Sequence, residues 1–156
     1  MTEYKKKSYA MKAEVVAIGT EIYNFLEDCH YTTNEAKCVK LIGTAGEEWP
    51  VTLEKLAKTY TLADGTHITQ ENIPAGVFDI VTIVDDSAET IFAEQTTEQT
   101  KVSTSWGEVL TANREGVPHG DGDFIVFANK DGKPNPDDSW VVNGMVFNNT
   151  YAPVNS

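Results

Sequence analysis

Five residues of this chain recur at one spacing. Trp49, Val51, Leu56, Thr59 and Tyr60 return as Trp140, Val142, Phe147, Thr150 and Tyr151, each 91 residues further on. A constant offset over five positions is the mark of a repeated structural unit, so any fold must give both copies equivalent settings. A Trp and a Val two residues apart lie on one face of a strand. A short helix, capped in the first copy by Thr52, then returns Leu56 or Phe147 and the tyrosine over that face. Upstream, Val39 and Leu41 before Gly46 match Ile125 and Phe127 before Gly132, allowing five extra residues between Gly132 and Trp140. Strand, glycine turn and returning strand make a hairpin. Such a unit is too small to bury its own apolar face, so two copies are expected to pack together or extend one sheet.

The remaining elements follow from periodicity and turn residues. Met11–Ile18 reads as a strand ended by Gly19, and Thr20 is expected to cap a helix carrying Ile22, Phe25, Leu26 and Cys29 on one face. Cys38–Ile42 and Trp49–Val51 read as strands around the turn Gly43–Gly46, and Leu53–Lys58 as a helix. Turns at Ala63–Gly65 and Gln70–Gly76 precede Val77–Val84, the most apolar run and an expected central strand. Asp85–Ser87 turns the chain into a strand over Glu89–Glu94, and Gln95–Lys101 is an exposed strand or a linker. Val109–Ala112, Phe124–Ala128 and Trp140–Val142 complete the strands. Two prolines make 134–138 a loop, and Gly144 weakens the second helix. The expected fold is α+β and β-dominant: two pseudo-repeated small β units with short helices, packed as one compact domain. Its parts are a first repeat unit over 1–62, a central strand pair and linker over 63–100, and an acidic second repeat unit over 101–156.

Charge narrows the partners. The chain is 40% hydrophobic and 23% charged. That balance can build a core, which sets it apart from a disordered segment. Lys12 and Glu14 interrupt the apolar stretch that a secretory signal needs. No apolar run reaches the length of a membrane span, about 20 residues. A cytoplasmic location without membrane contact is expected. Residues 1–60 hold 8 Lys against 9 Asp or Glu, whereas 61–156 hold 4 Lys or Arg against 15 Asp or Glu, so nearly all of the net −12 falls in the later part. That field opposes direct nucleic-acid binding and suits a protein with a basic surface.

Candidate chemistry is sparse. His119-Gly120-Asp121-Gly122-Asp123 offers carboxylates beside a histidine but lacks the remaining positions of a calcium loop, and reads as a glycine-rich entry to a strand. Cys29, His30, Cys38 and His67 are not spaced as zinc ligands, and two cysteines make no disulfide framework. Gly43–Gly46 is followed by Glu47-Glu48 rather than by a phosphate-binding Lys, and these adjacent carboxylates read as a solvated turn. No catalytic residue, metal or cofactor is expected. Trp49, Tyr60, Trp140 and Tyr151 form a core face or, alternatively, a cleft in which a planar, nucleotide-like ligand stacks.

One resemblance covers both repeats. Tyr4–Lys7 with Glu14-Val15-Val16, Gly122-Asp123-Phe124-Ile125-Val126, Asp131-Gly132, Trp140-Val141-Val142 and Phe147-Asn148-Asn149-Thr150-Tyr151-Ala152-Pro153 together resemble the PGDYG-type small proteins of phages and prophages, with His119–Gly122 standing where that family shows Pro-Gly. The resemblance implies a phage origin and a fold unit without an established enzyme activity, and hence the cytoplasm of the host cell. The leading expectation is a non-catalytic accessory protein whose acidic surface, with Glu89, Glu94, Glu98, Asp121, Asp123, Asp137 and Asp138, engages a basic host protein, in an anti-defence role. A virion or assembly component is the alternative, and self-association stays open.

Overall fold

Burial alternates with every second residue along Ala10–Ala13, Glu21–Asn24, Val39–Ile42 and Val77–Ile80, and this period of two selects strands. The computed structural model describes residues 1–84 and 88–154; the turn expected at Asp85–Ser87 lies outside them. The described residues form fourteen strands and two seven-residue helices, so the chain is β-dominant. In order these are β1 (Thr2–Lys6), β2 (Ala10–Val15), β3 (Glu21–Asn24), β4 (Cys29–Thr32), β5 (Val39–Ile42), β6 (Glu48–Val51), α1 (Leu53–Thr59), β7 (Tyr60–Leu62) and β8 (Val77–Thr82). There follow β9 (Ile91–Gln95), β10 (Thr100–Ser103), β11 (Val109–Ala112), β12 (Phe124–Lys130), β13 (Lys133–Val142), α2 (Gly144–Thr150) and β14 (Tyr151–Pro153). No described helix is long and apolar enough to cross a membrane.

The chain divides into two compact units, each with its own core. Ser8–Val84 make the first, and Met1–Lys7 with Asp85–Ser156 make the second. This replaces the expected division at 62/63 and 100/101. The middle strands do not pair with each other: β8 lies between β2 and β7, and β9 between β1 and β12. The N-terminal strand likewise joins the second unit rather than the first.

In the first unit an antiparallel sheet runs β6-β5-β2-β8-β7. Met11 and Ala13 on β2 face the core, as do Val39 and Leu41 on β5 and Phe78 and Ile80 on β8. Helix α1 follows its expected course: Thr52 Oγ1 accepts from Lys55 N at 3.0 Å, and Leu56, at 0% exposure, is the side chain that docks it. The opposite face of the sheet carries ion pairs. Lys12 meets Asp79 at 2.9 Å, and Lys40 meets Glu14 at 3.2 Å and Glu48 at 3.5 Å.

In the second unit the sheet runs β13-β12-β9-β1-β14. Phe147, at 1% exposure, is the centre of its core. Its ring stacks on Phe124 with centroids 3.9 Å apart and on Tyr151 at 4.8 Å, while Tyr4 meets it edge-on at 4.8 Å. Asn143 caps α2, its Oδ1 accepting from Met145 N at 3.0 Å and Val146 N at 3.4 Å. Gly144 opens this helix for a steric reason that outweighs its low propensity. A Cβ there would lie 2.1 Å from the Gly122 carbonyl oxygen and 2.5 Å from that of His119.

Three local expectations change. The helix after Thr20 is instead the hairpin β3–β4, with Ile22 opposite Tyr31 and Asn24 opposite Cys29. Ile22 and Asn24 are buried between exposed neighbours, and Asn24 Oδ1 accepts from Leu26 N and Glu27 N to close the turn. Thr20 donates its hydroxyl to the Ala17 carbonyl and caps nothing. Residues 134–138 are not a loop but part of β13. The register jumps from Pro134 opposite Asn129 to Ser139 opposite Phe127, so Asn135–Asp138 form a wide bulge facing Ala128, and an edge strand tolerates the missing proline donors. Finally, Val39 and Leu41 face Val51 and Trp49, whereas Val142 and Trp140 face Phe124 and Val126. Pairing therefore does not set Val39 and Leu41 equivalent to Ile125 and Phe127.

Leu56→Ala is expected to cost about 2–5 kcal/mol and Phe147→Ala about 3–5 kcal/mol, because each empties the centre of a core. Gly144→Ala should also lose about 1–3 kcal/mol, against the propensity scale. Urea denaturation followed by circular dichroism checks all three, and a stabilised Gly144→Ala variant would contradict the close approach of α2 to the 119–122 turn.

Candidate functional site

Strand register sorts the expected acidic residues into two groups. Glu94 lies opposite Ile125, one residue from the Gln95–Phe124 pair at which β9 ends and β12 begins. Asp121 lies in the turn before β12, and Glu98 in the turn after β9, its carbonyl held by Asn113 Nδ2 at 3.0 Å. At the other end Ala128 faces Ile91, which places Glu89, Asp137 and Asp138 around the same edge. Glu89, Glu94, Glu98, Asp121 and Asp137 are exposed, and half-buried Asp138 accepts from Ser105 Oγ at 3.0 Å.

Asp123 is not a surface residue. At 6% exposure its Oδ2 accepts from Asn113 N at 2.8 Å and its Oδ1 from Gly144 N at 3.0 Å. Its own N–H donates to Asn113 Oδ1 at 2.7 Å, and Asn113 Nδ2 donates to the Thr96 carbonyl at 2.7 Å. Asn113 holds φ 56, a left-handed conformation that Asn adopts more readily than most residues. This buried pair ties the end of β11 to the start of β12 and of α2. With both carboxylate oxygens engaged by backbone amides, Asp123 belongs to the scaffold. Among the described residues no three His, Cys, Asp or Glu side chains are grouped to hold a metal.

The four aromatic residues of the expected cleft pack into their own units. Tyr60, 7% exposed, belongs to the first core, and half-buried Trp49 packs against it. Trp140 and Tyr151 pack against the second core. Trp49, Trp140 and Tyr151 are half-buried, each contributing to the packing of its own unit.

Glu47 is the site that sequence reasoning missed. It is 5% exposed, whereas Glu48 beside it reaches Lys40. The Gly43 N–H donates to the Glu47 carbonyl at 2.7 Å, and Glu47 Oε1 accepts from Ala45 N at 3.3 Å, so the carboxyl folds back into its own turn. A Cβ at residue 43 would collide with that oxygen, so the Glu47 carboxyl keeps this position beside a residue without a side chain. Burial pushes the Glu47 carboxyl above the usual carboxylate range, with the Ala45 N–H opposing and the Glu27 charge adding to the rise. Burial likewise raises the hydroxyls of Tyr60 and Tyr9, with Glu47 adding to both shifts. Tyr60 donates to Met11 Sδ at 3.7 Å, and Thr44 Oγ1 is buried without a partner among the described residues. The one signal in the sequence is Gly43 four residues before Glu47, and it reads equally well as an ordinary turn. No family model, curated protein or solved structure matches this chain.

Two substitutions separate scaffold from surface. Asp123→Ala strands the Asn113 and Gly144 amides and should cost about 1–3 kcal/mol for each, whereas Asp121→Ala should stay within about 0.5 kcal/mol. Glu47, with its folded value raised, binds its proton more tightly in the native state. Its contribution is present at low pH and is lost as pH rises from the unfolded carboxylate value through the folded one. The urea midpoint of Glu47→Gln should therefore gain on that of the unaltered protein between pH 4 and pH 7, and parallel midpoints would refute the assignment.

Proposed function

We propose that this protein is a non-catalytic accessory binding protein of the small phage type, built from two copies of one fold unit. Its free carboxylates engage a basic protein of the host, in keeping with an anti-defence role. The duplication draws support from pairing. Ala13 faces Leu41 as Ala93 faces Val126, and Trp49 faces Leu41 as Trp140 faces Val126. Val16 N donates to the Cys38 carbonyl at 3.0 Å as Thr96 N does to that of Asp123 at 2.9 Å. In this correspondence β1 stands where β8 stands. Tyr60 faces Thr82 and Leu62 faces Ile80, as Tyr151 faces Lys6 and Pro153 faces Tyr4. The match of Ile83 N to the Thr59 carbonyl with Lys7 N to that of Thr150 extends it beyond the strands.

The charge distribution carries the binding reading. Counted by unit rather than along the chain, Ser8–Val84 hold 5 Lys and 11 Asp or Glu, and the second unit 7 Lys or Arg and 13 Asp or Glu. Each has a net charge of −6, because Met1–Lys7 bring +2 to the second unit and Asp64, Glu71 and Asp79 fall in the first. Lys12 and Lys40 pair with Asp79, Glu14 and Glu48 in the first unit, and in the second Glu89, Glu94, Glu98, Asp121 and Asp137 lie exposed and outside these pairs. Unpaired carboxylates steer and hold a cationic surface, and they do so in a salt-dependent way. Pairing through sheet edges, as an assembly component would use, draws less support. β7 and β14 have three residues each, and β13 carries Pro134, Pro136 and a bulge.

The test uses immobilised protein and lysate of a bacterial host. A basic protein should be retained at about 50 mM salt and released by about 500 mM, as the screening length falls below the spacing of surface charges. The triple variant Glu94→Lys/Glu98→Lys/Asp121→Lys should weaken its capture at least about tenfold. Undiminished capture by that variant would end this reading.

A further inference from the structure

We infer that β1 can leave its own second unit and complete that of another copy of this chain, forming a reciprocal strand-exchanged dimer. The inference rests on where this strand sits and where it comes from, independently of any binding partner.

β1 is an interior strand. Tyr4 faces Ile91 of β9 on one side and Pro153 of β14 on the other. Its ring lies 4.8 Å from that of Phe147 and 6.2 Å from that of Phe124. Further bonds run from Lys7 N to the Thr150 carbonyl and from Val154 N to the Glu3 carbonyl, both at 3.0 Å. Without β1, the second unit would present two unpaired strand edges flanking a gap about 10 Å wide, two strand spacings, floored by two phenylalanines. The slot is specific in register, since Glu3 on β1 also accepts from the Thr90 hydroxyl.

Among the described residues, the other strands of the second unit come from the chain beyond the first unit, and β1 alone comes from before it. The crossing is very short. Lys7 is bonded into the second unit, and Tyr9 N is bonded to Thr82 Oγ1 in the first at 3.1 Å, which leaves exposed Ser8 as the link. A one-residue link has no slack, and short hinges favour exchange of the element they tether. Exchange keeps every pairing that β1 makes, because the partner's β9 and β14 are identical to its own. Association costs translational freedom, so the dimer grows with concentration.

Disulfide trapping in the full-length chain tests this. Lys5 and Ala152 face each other across β1 and β14. In a Cys29→Ala/Cys38→Ala background, the double variant Lys5→Cys/Ala152→Cys should close a disulfide within one chain when dilute, which establishes the geometry. The two single-cysteine variants are then unfolded, mixed and refolded together at about 1 µM and about 100 µM before mild oxidation. A covalent pair joining position 5 of one chain to position 152 of the other should rise roughly in proportion to concentration while it is the minor species. It should also exceed the 5–5 and 152–152 products. A 5–152 pair no more abundant than its random share at either concentration would overturn the inference. If the substituted chains fail to fold, sedimentation of the unaltered chain refolded at the same concentrations decides: a dimer that outlives dilution supports exchange, and monomer alone at both refutes it.

Discussion

A helix of seven residues does not persist alone in water, since isolated helices below ~12–15 residues are marginal. In each unit, therefore, a buried apolar side chain decides whether the helix exists: Leu56 in α1 and Phe147 in α2. The consequences reach past the helix. Tyr60 and Tyr151 directly follow the docked turn as the first residues of β7 and β14, and those short strands complete one edge of each sheet. Three residues of strand cannot hold a register unaided. Their alignment with β8 and β1 is inherited from the helix that delivers them.

Buried polar groups show the same economy. Asp123 and Asn113 satisfy each other's backbone and also reach Gly144 and Thr96, so two side chains join four segments. Glu47 instead turns back on the loop that carries it and relies on the missing side chain of Gly43. The first arrangement leaves a carboxylate fully provided with donors. The second leaves one poorly solvated and holding its proton to higher pH. Where an acidic residue sits thus matters more to its chemistry than how many acidic residues surround it in sequence.

Much of the first unit was readable in advance because its signals are local. Thr52 followed by an amphipathic turn predicts α1, and the alternation in Met11–Val15 and Val39–Ile42 predicts their strands. Errors arose where a long-range contact outweighed a local preference. Ile22, Phe25 and Leu26 have helical spacing, but the Asn24 side chain closes a hairpin turn that no periodicity reveals. Gly144 looks like a helix breaker until the backbone packed against it is seen. The expected acidic half dissolved for a topological reason: the lysines at the start of the chain are carried with β1 into the unit built from its end, while Asp64, Glu71 and Asp79 stay with the first. Of the seven acidic candidates, Asp123 is the buried one, held by Asn113 and Gly144, and that burial could not be read from composition.

The wide bulge in β13 has a bearing on how such a chain tolerates change. Asn135–Asp138 face a single residue, Ala128, on an edge strand, while the pairs on either side keep their partners. Residues added or removed there alter neither the alignment of β12 with β9 nor the seat of Phe147. The bulge therefore uncouples the length of this hairpin from the interior, so that its outer rim can be remodelled, in size and in charge, while the folded framework stays as it is.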